Sequence, residues 1–271
     1  MLCLCFNISC RVKLSIITIN YNNCAGLKKT IDSIVLQSFK DFEWIVIDGG
    51  STDGSRELME QYANRFSYWV SEPDKGVYNA MNKGIKVAKG EYINFMNSGD
   101  CFASPTILEE VFSTAHTADV LYGYMTRGTL DGEVNNLSMM KENLTWMDFY
   151  RDGLPHQATF IKRNLFDQLG PYDESLKAVS DWKFFVEAFV YHKATSEFIP
   201  KKIAVYAEGG ISDVMGGEER KRVAKELFPR AMVETIPVIE AYNRIQHHQL
   251  INKMYSLVDK LAKRRERRNK L

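Results

Sequence analysis

Four apolar runs, each cut off by polar and glycine residues and each of the first three followed by a helical pattern, fill the first hundred residues. Leu14-Ser15-Ile16-Ile17-Thr18-Ile19 is near-continuous and β-branched, the signature of a strand buried on both faces, and Asn20-Tyr21-Asn22-Asn23 breaks it. Leu27, Ile31, Ile34 and Val35 follow at helical spacing. Glu43–Ile47 predicts a second buried strand, stopped by Asp48-Gly49-Gly50-Ser51-Thr52-Asp53-Gly54, and Leu58, Met59, Tyr62 and Phe66 line the next helix. Tyr68-Trp69-Val70 reads as a short third strand closed by Glu72-Pro73-Asp74-Lys75-Gly76. Val77, Ala80, Met81, Gly84, Ile85 and Ala88 line a further helix, and Tyr92–Met96 is a fourth strand that stops at Asn97-Ser98-Gly99-Asp100. Such alternation predicts an α/β fold: a mostly parallel sheet with helices on both faces.

Past Asp100 the rhythm changes. Pro105 suits the first turn of a helix running to Phe112. Asp119–Gly123 and the stretch around Asp131-Gly132 read as strands joined by a hairpin. Leu154–Ile161 leads a strand into a short helix ending at Gly170, and Ser180-Asp181 opens an aromatic helix through Trp182, Phe184, Phe185, Ala188 and Phe189. A late strand near Ile203–Tyr206 ends in Glu208-Gly209-Gly210-Ile211-Ser212, which reads as a plain turn or as a flap, since glycines permit the backbone swing. The expected organisation is an extension over residues 1–12, one domain over 13–215 and a helical region over 216–271. Within the domain, 13–103 is a nucleotide-type front half and 104–215 a more irregular back half. One long helix is expected from about residue 239, with Leu250, Met254, Leu257 and Leu261 as its apolar seam. It would pack on its own domain, pair with a second copy, or lie with its basic end on an anionic membrane.

Composition excludes some classes. Lys and Arg number 35 against 34 Asp and Glu, so no bulk field attracts nucleic acid. Seven basic residues against Glu266 alone make residues 260–271 a basic tail on a mildly acidic body. Five cysteines without a paired framework or zinc-site spacing suggest reduced thiols in the cytosol. The first 13 residues are too short and too polar for a signal peptide, and no window approaches eighteen apolar residues.

In a parallel sheet the carboxyl ends of the strands emerge at one edge, where ligands bind. Asp48 and Asp100 both stand there, although 52 residues separate them. By itself Asn97-Ser98-Gly99-Asp100 is an ordinary turn, because those residue types dominate turns. Converging carboxylates, however, suit a nucleoside diphosphate: one accepts from a base N–H or a ribose hydroxyl, another holds a divalent cation that bridges the phosphates. The G-x-G-x-x-G order of a dinucleotide fold is absent, and so is a P-loop.

These blocks, taken in order, carry a resemblance. Ser15-Ile16-Ile17-Thr18 with Asn20-Tyr21-Asn22, Thr30–Ile34 with Gln37-Ser38, Ile47–Gly54, Glu72–Gly76, Ala80–Gly84 and Phe95–Asp100 together resemble an inverting glycosyltransferase of family 2, with the GT-A nucleotide-sugar fold. The likeness continues through His156-Gln157, Gly170–Glu174 and Ser180-Asp181-Trp182, covering about residues 13 to 215. It implies a central, mostly parallel Rossmann-like sheet, with the C-terminal helical extension lying outside the likeness. It also implies roles. Thr18, Ile19 and Tyr21 would border the base, Asp48 would bind its imide, and Lys75 would approach the diphosphate. Relatives carry Asp-x-Asp or Asp-Asp at the metal motif, where this chain has Asn97, Ser98, Gly99 and Asp100. Asp100 is thus the expected ligand of Mg²⁺ or Mn²⁺, while Asn97 and Ser98 would meet the donor. Asp181 matches the catalytic base, with a helix N-cap as its bland alternative. His156 and Trp182 would contact acceptor or phosphate.

The implied activity is metal-dependent transfer of one sugar, from a UDP-, GDP- or TDP-sugar to a glycan or lipid-linked acceptor, by direct displacement. Its expected setting is assembly of bacterial surface polysaccharide such as the lipopolysaccharide of the cell envelope. The expected location is cytoplasmic, peripheral at the inner face of the membrane. A non-catalytic nucleotide-sugar-binding or scaffolding relative is the alternative. A nucleotidyltransferase would need a glycine-rich loop with a basic residue after the first strand, and Asn20–Asn23 does not supply one.

Overall fold

The computed structural model describes residues 12–128, 142–207 and 211–247, with the side chains of 211–215 and 242–247 outside that description. Eight strands are present among them: β1 Leu14–Asn20, β2 Phe42–Asp48, β3 Tyr68–Ser71, β4 Tyr92–Phe95, β5 Cys101–Phe102, β6 Val120–Arg127, β7 Thr159–Lys162 and β8 Ser196–Tyr206. They form one sheet in the order β3-β2-β1-β4-β7-β6-β8-β5. Strands β1 to β4 run parallel; β7 is antiparallel to β4 and to β6, while β6 and β8 are parallel. The helices are α1 Cys24–Val35, α2 Ser55–Gln61, α3 Val77–Val87, α4 Ile107–Phe112, α5 Trp146–Arg151, α6 Arg163–Leu169, α7 Ser180–Val186, α8 Ile211–Leu227 and α9 Arg230–His247. The chain forms two compact units, Met1–Val223 with the whole sheet and Ala224–Leu271 with α9.

Side-chain alternation along β1 explains its burial on both faces. Leu14 and Ile16 join Leu27, Ile31 and Ile34 of α1 and Trp44 and Val46 of β2 in the main core. Ile17 points the other way, toward α3. There Gly84 lets the helix approach so closely that a Cβ would lie 2.5 Å from Ile17 Cγ2. Each fully buried aliphatic of this kind contributes about 1.5–3 kcal/mol, which fixes strand register because a one-residue slip would expose the whole set. The register that results puts Asn20 beside Asp48 at the carboxyl edge.

Several boundaries differ from the sequence reading. Helix α2 ends at Gln61, and a short 3₁₀ turn, Ala63–Arg65, carries Phe66 back onto Trp44 at 4.8 Å between ring centroids. Pro105 lies outside α4, whose N-cap is Thr106. Strand β8 begins at Ser196 because β6 offers it a parallel neighbour, and α7 continues as a wider, π-helical turn through Glu187–Tyr191. Helix α9 begins at Arg230, well before residue 239, and contains Pro237. Asp131-Gly132, Glu208–Gly210 and the seam from Leu250 to Leu261 lie outside the described residues. Among the described residues no helix is long and apolar enough to cross a membrane.

Candidate active site

The turn after β4 is held from below by α1. Thr30 Oγ1 donates to the carbonyl of Asp100 at 2.7 Å and accepts from the Gly99 N–H at 2.9 Å. Gly99 has φ of 106°, a conformation that costs a residue with a Cβ free energy. The turn thereby directs Asp100 inward. Its Oδ1 accepts from the Ala207 N–H at 3.0 Å, just past the end of β8, and its Oδ2 from Gln157 Nε2 at 3.1 Å. Burial pushes this carboxyl up to about 6, against weaker opposing pulls from the Ala207 N–H, the charge of His156 and Gln157.

Asp48 is placed differently. Its side chain has no solvent exposure. Oδ1 accepts from Asn20 Nδ2 at 2.7 Å and Ser51 Oγ at 2.5 Å. Oδ2 accepts from the Gly50 and Ser51 N–H groups at 3.2 and 2.9 Å and from Ser71 Oγ at 2.6 Å. Burial works to raise its pKa, but the hydrogen bonds from Ser51, Ser71 and Asn20 together hold it below the usual carboxylate value. Asp48 thus ties the ends of β1, β2 and β3 to the turn that follows β2.

Asp181 opens α7 on the far side of the same edge. Its Oδ1 accepts from the Tyr78 hydroxyl at 2.8 Å and its Oδ2 from His156 Nδ1 at 2.9 Å. An ionised carboxylate only accepts, so Nδ1 carries the imidazole proton, and in the neutral ring Nε2 accepts from Asn97 Nδ2 at 3.1 Å. Burial would raise the Asp181 pKa. The hydrogen bond and charge of His156, then Tyr78 and the Trp182 N–H, reverse that and keep it ionised. No N-cap bond from Val179's side chain is present at this helix, and Asp181 lies within the first turn.

A cleft of about 820 Å³ runs along the strand ends and joins these groups. Ile19, Tyr21, Asn97, Ser98, Asp100, His156 and Asp181 all line it. Thr18, Asp48, Lys75 and Trp182 do not. Thr18 is buried and accepts from Trp44 Nε1 at 3.1 Å. Lys75 is exposed, while its neighbours Asp74 and Gly76 line the cleft. The Trp182 indole points into the core, donating to the Phe149 carbonyl at 2.6 Å under the guanidinium of Arg220, 4.6 Å away.

Asn20, Asp74, Tyr78, Gln157 and Lys177 also line the cleft and carried no assigned role in the sequence. Tyr78 was hidden because its apolar neighbours mark an ordinary helix face, and only the fold brings it 103 positions along the chain to Asp181. Lys177 is presented by a loop clamped from α8: Glu219 accepts from the Lys177 N–H at 3.0 and 3.1 Å and from the Ala178 N–H at 2.8 Å.

The model of the family described as glycosyl transferase family 2 matches residues 15–170, which contain β1, the Asn97–Asp100 turn and His156. The chain belongs to glycosyl transferase family 2. A PGL/p-HBAD biosynthesis glycosyltransferase of Mycobacterium bovis is 29% identical over 219 residues, 76% of this chain and 81% of the relative. An uncharacterised glycosyltransferase of Mycobacterium tuberculosis is 34% identical over 179 residues, 64% of this chain and 68% of the relative. Among solved structures, Staphylococcus aureus TarS 1-349 in complex with UDP-GlcNAc superposes with a TM-score of 0.65 at 23% identity, over 79% of this chain and 66% of TarS 1-349. The mannosyltransferase PcManGT from Pyrobaculum calidifontis, in complex with GDP-Man and Mn²⁺, gives 0.55 at 16% identity, over 79% of this chain and 61% of that one. The glycosyltransferase spans 60% of the TarS 1-349 structure in complex with UDP. These likenesses show the GT-A fold, and the family makes the protein a glycosyltransferase.

Proposed function

We propose that the enzyme moves one sugar from a nucleoside-diphosphate sugar to a glycan or lipid-linked acceptor, with inversion, using Asp181 as general base. The observation that carries this reading is the Asp181 carboxylate itself, kept ionised in the cleft wall by Tyr78 and His156. A hydroxyl is a poor nucleophile until its proton is removed, and a fixed carboxylate removes it as the bond to the anomeric carbon forms. The acceptor oxygen attacks from the side opposite the diphosphate, whose bond to the sugar breaks with both electrons, so the configuration inverts. Tyr78, His156 and the Trp182 N–H take three of the roughly four lone-pair directions that a carboxylate offers, which leaves one for the acceptor hydroxyl.

The charge of the cleft bears on the metal. Its lining carries three carboxylates, Asp74, Asp100 and Asp181, against Lys177 and a histidine. A diphosphate entering this field needs a cation. Among the described residues no group of three or more His, Cys, Asp or Glu gathers to hold a metal. Asp100 and the Asn97 Oδ1, which is buried without a partner, nonetheless fit Mg²⁺ or Mn²⁺, the remaining oxygens coming from phosphate and water. When bound, such an ion would supply positive charge to the departing diphosphate.

Two relatives bind nucleotide sugars, UDP-GlcNAc in TarS and GDP-Man in PcManGT, and this supports a donor of the same class here. The mycobacterial relative, a PGL/p-HBAD biosynthesis glycosyltransferase, supports a biosynthetic role, and the setting proposed for this enzyme is the making of a bacterial surface glycoconjugate at the inner face of the membrane. A thermal-shift screen of UDP, GDP and TDP and their sugars, with and without Mn²⁺, tests the donor. A ligand of the native state raises the midpoint, by about 2.7 kcal/mol of stability at a hundredfold excess over Kd. No shift with any of them would sink the proposal.

A further inference from the structure

We infer that Asp74 reads the base of the donor nucleotide, selecting bases that present a ring N–H at their pairing edge. The inference rests on the nucleotide-sugar reading above. It starts from what Asp48 cannot do, since both its oxygens are occupied and its side chain is sealed behind the cleft wall. The carboxylate that stands at the cleft surface above the end of β2 is Asp74. Residue 49 is a glycine, and a Cβ there would lie 2.5 Å from Asp74 Oδ2 and 3.1 Å from the Tyr21 ring. The missing side chain leaves the space that Asp74 fills.

Asp74 is oriented at one oxygen only. Its Oδ1 accepts from the Gly76 N–H at 2.8 Å, whereas Oδ2 takes no hydrogen bond among the described residues. Beside it the Tyr21 ring is 65% exposed, an aromatic face on which a base can stack. Behind both, Asn20 is 3% exposed and lines the cleft, and its Oδ1 has no partner. Its amide orientation is fixed, because Nδ2 donates to the acceptor-only Asp48. The unmatched group at this corner is thus an acceptor as well. In the sheet, β2 and β4 are separated by β1 alone, so this corner lies two strand spacings, about 10 Å, from the turn that carries Asp100. A nucleotide whose base lies over Gly49 has its phosphates directed at Asp100 and Asn97.

A carboxylate accepts and never donates at neutral pH. Uracil and thymine offer N3–H at the pairing edge, and guanine offers N1–H. Cytosine and adenine present a bare ring nitrogen at that position, and a carboxylate aligned on it meets their neighbouring exocyclic amine only against the repulsion of that lone pair. A site built to bond an N–H rejects the analogue lacking it far more strongly than an apolar pocket rejects a change of size.

The test is calorimetric titration of the enzyme, in Mn²⁺, with UDP, TDP, GDP, CDP and ADP. At least one of the first three should bind, with CDP and ADP at least a hundredfold weaker. Asp74→Ala should weaken the preferred nucleotide at least tenfold and leave CDP unchanged, and Asp74→Asn should strengthen CDP, because an amide N–H can donate to the bare nitrogen. Gly49→Ala keeps the carboxylate in the chain but places a methyl where Oδ2 lies, and it should weaken the preferred nucleotide as Asp74→Ala does. Binding of nucleotides with ratios unchanged within twofold in variants of wild-type melting temperature would overturn this inference alone, as would a wild-type preference for CDP or ADP. No binding of any of the five would overturn the nucleotide-sugar reading with it.

Discussion

Asp100 is a buried carboxyl whose ionisation works against stability, and Asp100→Asn measures by how much. Burial raises its folded pKa from 3.8 to about 6. A group whose pKa rises on folding binds its proton more tightly in the native state. Its contribution is favourable below the unfolded pKa and is lost as pH climbs through the folded value, here between about pH 4 and pH 6. A shift of two units corresponds to about 3 kcal/mol, so the ionised Asp100 destabilises the metal-free enzyme by at most that much at pH 7.5. Asparagine removes the charge and can keep both contacts: its amide oxygen accepts from the Ala207 N–H, and its amide N–H donates to Gln157 once that side chain turns over. The variant should gain up to ~3 kcal/mol in urea denaturation at pH 7.5 with a chelator present, roughly 6–10 °C in melting temperature for a chain of this size. At pH 5 the gain should fall to about half, because the carboxyl is then protonated in the native state but still ionised in the unfolded chain, and below about pH 4 it should vanish. Nucleotide binding should lose its response to Mn²⁺. A variant equally stable or less stable than wild type at pH 7.5 would refute the strained-carboxylate account.

Other outcomes follow from the same contacts. Tyr78→Phe removes one donor from the buried Asp181 and should cost about 1.5–3 kcal/mol at pH 7, measured by denaturation. Because the Asp181 pKa is lowered on folding, its stabilising contribution is present above the unfolded pKa and lost as pH falls through the folded one, so the difference between Tyr78→Phe and wild type should shrink in acid. Gly84→Ala should destabilise by about 1–3 kcal/mol despite alanine's better helix propensity, since the methyl meets Ile17 Cγ2, and Ile17→Val in the same chain should recover part of the loss. Glu219→Ala frees the backbone of Lys177 and Ala178 beside Asp181, and should lower the rate of sugar transfer more than it weakens donor binding.

The front half was legible because its physics is local. Runs such as Leu14–Ile19 need burial on both faces, and only a parallel sheet gives that with helices between. Ile19, Tyr21, Asn97, Ser98 and Asp100 lie at or just past the carboxyl ends of β1 and β4, where strand ends alone lead one to look. His156 and Asp181 stand at no strand end and were legible only through the family resemblance. The orientation of side chains was legible in neither way. Asp48 and Asp74 are both acids at the sheet edge, and sequence offers no way to tell that Asn20, Ser51 and Ser71 close around the first and leave the second facing the cleft. Lys75 and Lys177 pose the same problem, since a loop lysine points wherever its loop is held, and Glu219, 42 residues further on, holds the second. The resemblance carried Trp182 into the site with Ser180-Asp181, but successive residues of a helix point about 100° apart, and this one turns into the core.

The central claim, that Asp181 takes the proton during transfer from a nucleotide sugar, is tested most directly by comparing wild type with Asp181→Asn on whichever donor the binding screen selects. The quantity to follow is release of free nucleoside diphosphate in Mn²⁺ with an acceptor present. The expected result is steady release by wild type and at least a hundredfold slower release by Asp181→Asn, with donor Kd unchanged within a few-fold. Release at the wild-type rate from a folded Asp181→Asn variant would contradict it.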